Sequence, residues 1–139
     1  MTYQQTPNIR VWTQGRDYVE AAEILLDYNR IQPAAVMAAL ALEIFIKSFS
    51  AIRHRTGHAT TDHGHGLSNM FKCIDSQTRA ELLACSNEVD SSIDFLSELK
   101  KHDGVFVSVR YWYEPAAPLS VGSDIIHFAR HACDSVFLL

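Results

Sequence analysis

The feature that most constrains this chain is the stretch 34–52, in which Glu43, Lys47, Ser48 and Ser50 are the few polar interruptions of a long apolar run. By length alone it could span a bilayer. Each charge near the centre of such a span costs about 2.5–3.5 kcal/mol on insertion scales, and alanine supplies much of the remaining apolar character. The run is therefore expected to be a buried helix in a soluble bundle, with no membrane role. It is apolar nearly all round, the mark of a central helix. Ala34, Ala35, Ala38, Ala39 and Ala41 would let neighbouring helices approach closely. Glu43 lies four residues before Lys47, the favourable order for an intrahelical ion pair. Gln32-Pro33 interrupts the preceding segment and restarts the chain, so this helix is expected over 33–53.

Helical periodicity recurs on both sides. Between residues 15 and 30, Tyr18, Ala21, Ala22, Leu25 and Tyr28 share one face. Residues 53–66 are polar, broken by three glycines and furnished with His54, His58, His63 and His65, which predicts a long loop. Leu67, Met70, Phe71 and Ile74 mark a third helix. Ser76 is placed to cap a short helix running through Ala84. A further helix is expected from near Ser86, with Val89, Ile93, Leu96 and Leu99 along one stripe; Lys100, Lys101, His102 and Gly104 suit its end. Residues 105–113 are β-branched and aromatic, which favours an extended conformation. With no partner strand in sight, this segment is expected to be a connector packed on the bundle. Pro115 and Pro118 make a turn, and Ser123 is placed to cap a last helix whose core stripe is Ile125, Phe128, Ala129, Ala132 and Val136. The expectation is a single all-α domain over 1–139: a compact up-and-down bundle of five or six helices, with an extended connector near 105–114 and residues 1–12 loosely ordered.

Composition narrows the function classes. Twelve Lys+Arg stand against 16 Asp+Glu, a formal charge of −4, so the whole chain lacks a strongly basic nucleic-acid footprint and any such contact must be local. Cys73, Cys85 and Cys133 are widely spaced and form no C-x-x-C pair, which argues against a disulfide framework and for a reducing, cytoplasmic setting. Residues 1–10 are polar, so no signal peptide is expected. There is no G-x-G-x-x-G, no G-x-x-x-x-G-K-[ST] and no G-x-S-x-G.

Three constellations could carry chemistry. Arg110-Tyr111-Trp112-Tyr113-Glu114 places three adjacent rings between a guanidinium and a carboxylate, a set that either closes the bundle or recognises phosphate and bases. The histidine loop contains His63-x-His65, but its glycines loosen the frame and no cysteine partners it, so no metal site is expected. In the last helix His127, Arg130, His131 and Asp134 fall at i, i+3, i+4, i+7. They form either a solvent face or an acid/base set acting on a phosphodiester.

With these residues in view the chain resembles the HEPN superfamily of small α-helical domains. Ala38-Ala39-Leu40-Ala41-Leu42-Glu43-Ile44-Phe45-Ile46-Lys47 is similar to the family's second helix, with its A-x-E-x-x-x-K character. His65-Gly66-Leu67, followed by Met70-Phe71, is similar to the H-x-L start of the next helix. Residues 106–114 are similar to the F-x-x-x-R-Y-x-Y-E segment of one branch. The resemblance implies a bundle that homodimerises around a shared polar cleft, ribonuclease activity in many members, and a toxin–antitoxin or defence context. It also implies a nucleotidyltransferase or antitoxin as partner. The family's catalytic R-x(4–6)-H is not met in its usual place: Arg110 has no histidine until His127, and the literal match from Arg53 to His58 lies in the loop and contains Gly57. The expectation is accordingly a non-catalytic module that binds nucleotide or RNA, or a partner, without cofactor or metal. Its cleft is assigned to Glu43, Lys47, His65, Arg110, Tyr111, Tyr113 and Glu114. One alternative is a ribonuclease using His127, Arg130 and His131 across a dimer. The other is a purely structural dimerisation domain.

Overall fold

The computed structural model describes residues 7–50, 66–103 and 123–139. These form six α-helices and no strand: α1 (Ile9–Asp27), α2 (Ile31–Ser50), α3 (Leu67–Lys72), α4 (Ser76–Val89), α5 (Phe95–Lys101) and α6 (Asp124–Phe137). The chain is an all-α helical bundle. Residues 51–65, which hold most of the loop expected over 53–66, and residues 104–122, which hold the expected connector and proline turn, lie outside the described residues.

Helix α1 begins earlier than its periodicity suggests. Asn8 caps it, its side-chain oxygen accepting from the Arg10 and Val11 N–H groups, and Trp12 is buried with its indole N–H donating to the Cys133 carbonyl at 3.1 Å. Residues 9–12 are thus helical rather than loosely ordered. The buried positions of α1 are Trp12, Gly15, Val19 and Ala22, a face rotated away from the expected one; Tyr28 is 74% exposed. The physical reason is proximity to α2. Gly15 lies directly against the Phe45 ring of α2, and Tyr18 and Leu25 are only partly buried. Asn29 adopts φ 61°, the left-handed conformation that often ends a helix, and turns the chain into α2. The two helices lie antiparallel, with the Asn8 N–H donating to the Ser48 carbonyl at 2.9 Å.

Helix α2 is the central element, as its composition requires. Ala34, Ala35, Ala38, Ala39, Ala41, Leu42, Phe45 and Phe49 are all buried, against α1, α3 and α6. It starts at Ile31, which puts Pro33 in the first turn, where a missing N–H costs nothing. Over Ile31–Phe49 it is long and apolar enough to cross a membrane, yet half of that window is packed inside the bundle.

The break expected between Ala84 and Ser86 is absent. Helix α4 runs unbroken to Val89, and its cap is Asp75 rather than Ser76, accepting from the Gln77 and Thr78 N–H groups. Ser86 is buried mid-helix in a hydrogen bond to His131, a tertiary partner that outweighs its preference for a helix end. The interruption falls at residues 90–94 instead. There the Asp90 carboxylate accepts from the Ser92 N–H and hydroxyl, and Asp94 caps α5 through the Ser97 N–H. Helix α6 buries Ile125, Phe128, Ala129, Ala132 and Val136 as read. Ser123 occupies its N-cap position without a side-chain cap bond.

Candidate functional site

Helices α3, α4 and α5 enclose an open groove of about 560 Å³. Its floor follows from the core: Phe71 and Leu99 point inward and are buried. Its lips are Ala80 and Leu83 from α4 and Leu96 from α5, of which Leu96 is 48% exposed. Three cations line it, one from each helix: Lys72, Arg79 and Lys100. None of the three forms an ion pair among the described residues, whereas neighbouring Lys101 is held by Asp124 at 2.7 Å. The acid on the lining, Asp103, has its carboxylate engaged by the Ser68 N–H at 2.8 Å. The Arg79 Nε is buried without a hydrogen-bond partner. Such an orphaned donor costs about 1–3 kcal/mol, more when charged. A volume of this size falls within the usual range for ligand clefts.

Beside the groove lies a stack of three buried rings. His102 packs on Phe128 (centroids 5.8 Å apart, planes at 21°), and Phe128 on His131 (6.4 Å, 23°). His131 Nε2 and Ser86 Oγ are 2.7 Å apart in a hydrogen bond, and His102 Nε2 lies 3.3 Å from Glu98 Oε2. Burial pushes both imidazoles below the ordinary 6.5, against the opposing pull of Asp90, Asp134 and Glu98 on His131 and of Glu98 and Asp124 on His102. Both rings are therefore neutral in the folded protein at pH 7, whereas the unfolded chain takes up protons as pH falls through 6.5. The unfolded state then binds more protons, so this contribution to stability is full above that value and is lost as pH falls below it. Urea unfolding between pH 8 and pH 5 should show a falling midpoint, with a shallower slope in His102→Leu.

The polar stripe expected on the last helix does not hold as one face. His127 is exposed, but His131 is buried against α4. Arg130 turns toward α1, where its Nε and one terminal nitrogen donate to the two oxygens of Glu23, the first at 2.9 Å; Asp134 lies 3.7 Å from its other terminal nitrogen. The i, i+3, i+4 spacing puts these residues within one broad sector of the helix. Because the core covers most of α6, the edge of that sector falls inside. The three side chains of the alternative ribonuclease set thus do not converge within this chain.

Glu43 and Lys47 form the expected ion pair, 2.7 Å apart on a half-buried face of α2. His65, Arg110, Tyr111, Tyr113 and Glu114 lie outside the described residues. Cys73, Cys85 and Cys133 are free thiols; burial raises the Cys85 thiol and pushes Cys133 up to about 11. Among the described residues no three His, Cys, Asp or Glu side chains are grouped to hold a metal ion.

Sequence reasoning missed the groove. Its cations come from three different helices, and half-buried Leu83 and exposed Leu96 lie among residues of which others are buried. The available signal was on α4, whose inward positions are Thr78, Leu82 and Ser86 while Leu83 remains partly outside. No protein-family model, curated protein or solved structure matches the chain.

Proposed function

We propose that this chain is a HEPN-like, non-catalytic binding module, and that the groove between α3, α4 and α5 receives its anionic ligand. One observation carries the reading: Lys72, Arg79 and Lys100, unpaired among the described residues, surround an open apolar groove on a chain whose formal charge is −4. Cations left without partners on an acidic protein favour a ligand that brings the negative charge. Two further placements support a binding role over a catalytic one. His131 is occupied by Ser86 in the core, and Arg130 is spent on Glu23, so neither is free to act on a phosphodiester. The Glu43–Lys47 pair on the central helix agrees with the second-helix resemblance.

Fluorescence anisotropy with a labelled single-stranded RNA 12-mer and a labelled glutamate-rich peptide tests this reading. At least one probe is expected to bind, more weakly as salt rises, and to lose tenfold or more in affinity to Lys72→Glu/Lys100→Glu. The RNA should emerge uncut after prolonged incubation with chelator. Binding of neither probe, binding indifferent to the double variant, or cleavage of the RNA would each overturn it.

A further inference from the structure

The apolar part of the groove is aliphatic. Ala80, Leu83 and Leu96 form its lips, and the aromatic ring on its lining, Phe71, is only 3% exposed. Nucleobases bind single-strand sites largely by stacking on open aromatic rings, and no open ring lines the groove; the Arg79 guanidinium on the lining has its Nε buried. Aliphatic lips carried on two helices instead suit the leucine-like knobs of a third helix laid between them. The charges point the same way. Lys72, Arg79 and Lys100 come from three different helices, an arrangement that matches separate carboxylates along a ligand better than one compact phosphate. A long polyanion extending past the groove would also be opposed by the chain's formal charge of −4, from 16 Asp+Glu against 12 Lys+Arg. A short acidic segment confined to the groove would not. Helix α4 is 14 residues long, so it offers a facing ridge of roughly 20 Å, about four turns.

We infer that the groove docks an acidic amphipathic helix of a partner protein, with the partner's apolar stripe on Ala80, Leu83 and Leu96 and its carboxylates facing Lys72, Arg79 and Lys100. This rests on the groove being the ligand site, as proposed above.

A displayed library of 16-residue peptides, apolar at i, i+4, i+7 and i+11 and randomised elsewhere, tests the partner's chemistry, with the same RNA 12-mer run in parallel. Selection on the full chain should enrich Asp and Glu flanking the apolar stripe. A selected peptide should bind at least tenfold tighter than its own composition with the helical phase scrambled. It should lose tenfold or more to Leu96→Asp and to Lys72→Glu/Lys100→Glu, exposed positions whose variants are expected to keep the wild-type circular dichroism spectrum. Enrichment of basic or unphased sequences overturns the inference, as does binding unaffected by those variants. If RNA binds through the groove and no peptide does, the inference falls while the anion-binding function stands. If neither binds, both fall.

Discussion

Gly15→Val is expected to destabilise the protein by roughly 3 kcal/mol and Gly15→Ala by about 1 kcal/mol, even though alanine is by far the better helix former. In an exposed helix, Gly→Ala gains about 1 kcal/mol. Here a Cβ would sit 2.5 Å from Cε1 and 2.8 Å from Cδ1 of Phe45. That ring is 1% exposed and belongs to the central helix, so it has little room to swing aside. Overpacking of a well-filled core typically costs about 1–3 kcal/mol, which outweighs the propensity gain for one methyl and exceeds it further for a branched side chain. Urea unfolding gives the ranking directly. Gly15→Ala combined with Phe45→Leu should be less destabilised than the two separate losses added together, because the smaller side chain makes room for the new methyl. A Gly15→Ala variant more stable than wild type would show that α1 and α2 do not approach so closely.

Phe128→Ala is the second large effect, expected at about 3–5 kcal/mol. Phe128 is buried, lies edge-on to Phe95 at a centroid distance of 5.2 Å, and fills the space between His102 and His131. Truncation leaves a cavity whose walls are held by α4, α5 and α6 and cannot readily collapse. It also admits water to both imidazoles, whose protonation is opposed chiefly by burial. The variant should therefore show a smaller loss of stability between pH 8 and pH 5 than wild type, against a much lower stability at both ends. A single set of urea titrations at the two pH values reads both quantities. An unchanged pH slope would mean that burial by Phe128 is not what keeps these histidines neutral.

Both predictions concern places where sequence and structure part company for a definable reason. The apolar run over 34–52 was expected to be a central helix, and over the described residues 34–50 it is one; the Glu43–Lys47 pair, being local, was equally legible. The core stripe of α6 was readable because five apolar residues at helical spacing admit one buried face. Gly15 marked only the start of the expected first helix, whereas its missing side chain leaves room for the Phe45 ring of α2. Ser86 read as the start of a helix; a hydrogen bond to a histidine 45 residues away holds it inside one instead. His131 read as part of a polar face for the complementary reason. Periodicity gives angular position on a helix, but how wide a sector the rest of the protein covers is a property of the assembled bundle.

The same distinction separates what each level of description decided about function. The sequence by itself determined the fold class, the central helix and the absence of a global basic footprint, because these depend on composition and on spacings within one element. It also placed Arg130 within reach of His127 and His131, which a single helix drawn in isolation would allow. Only the tertiary structure directed Arg130 to Glu23 and His131 to Ser86, and only it assembled Lys72, Arg79 and Lys100 around an aliphatic groove. Those groups come from separate elements, and their meeting is set by how helices dock. Docking is governed by the shapes of buried surfaces such as Gly15 against Phe45, and no local pattern of residues records it.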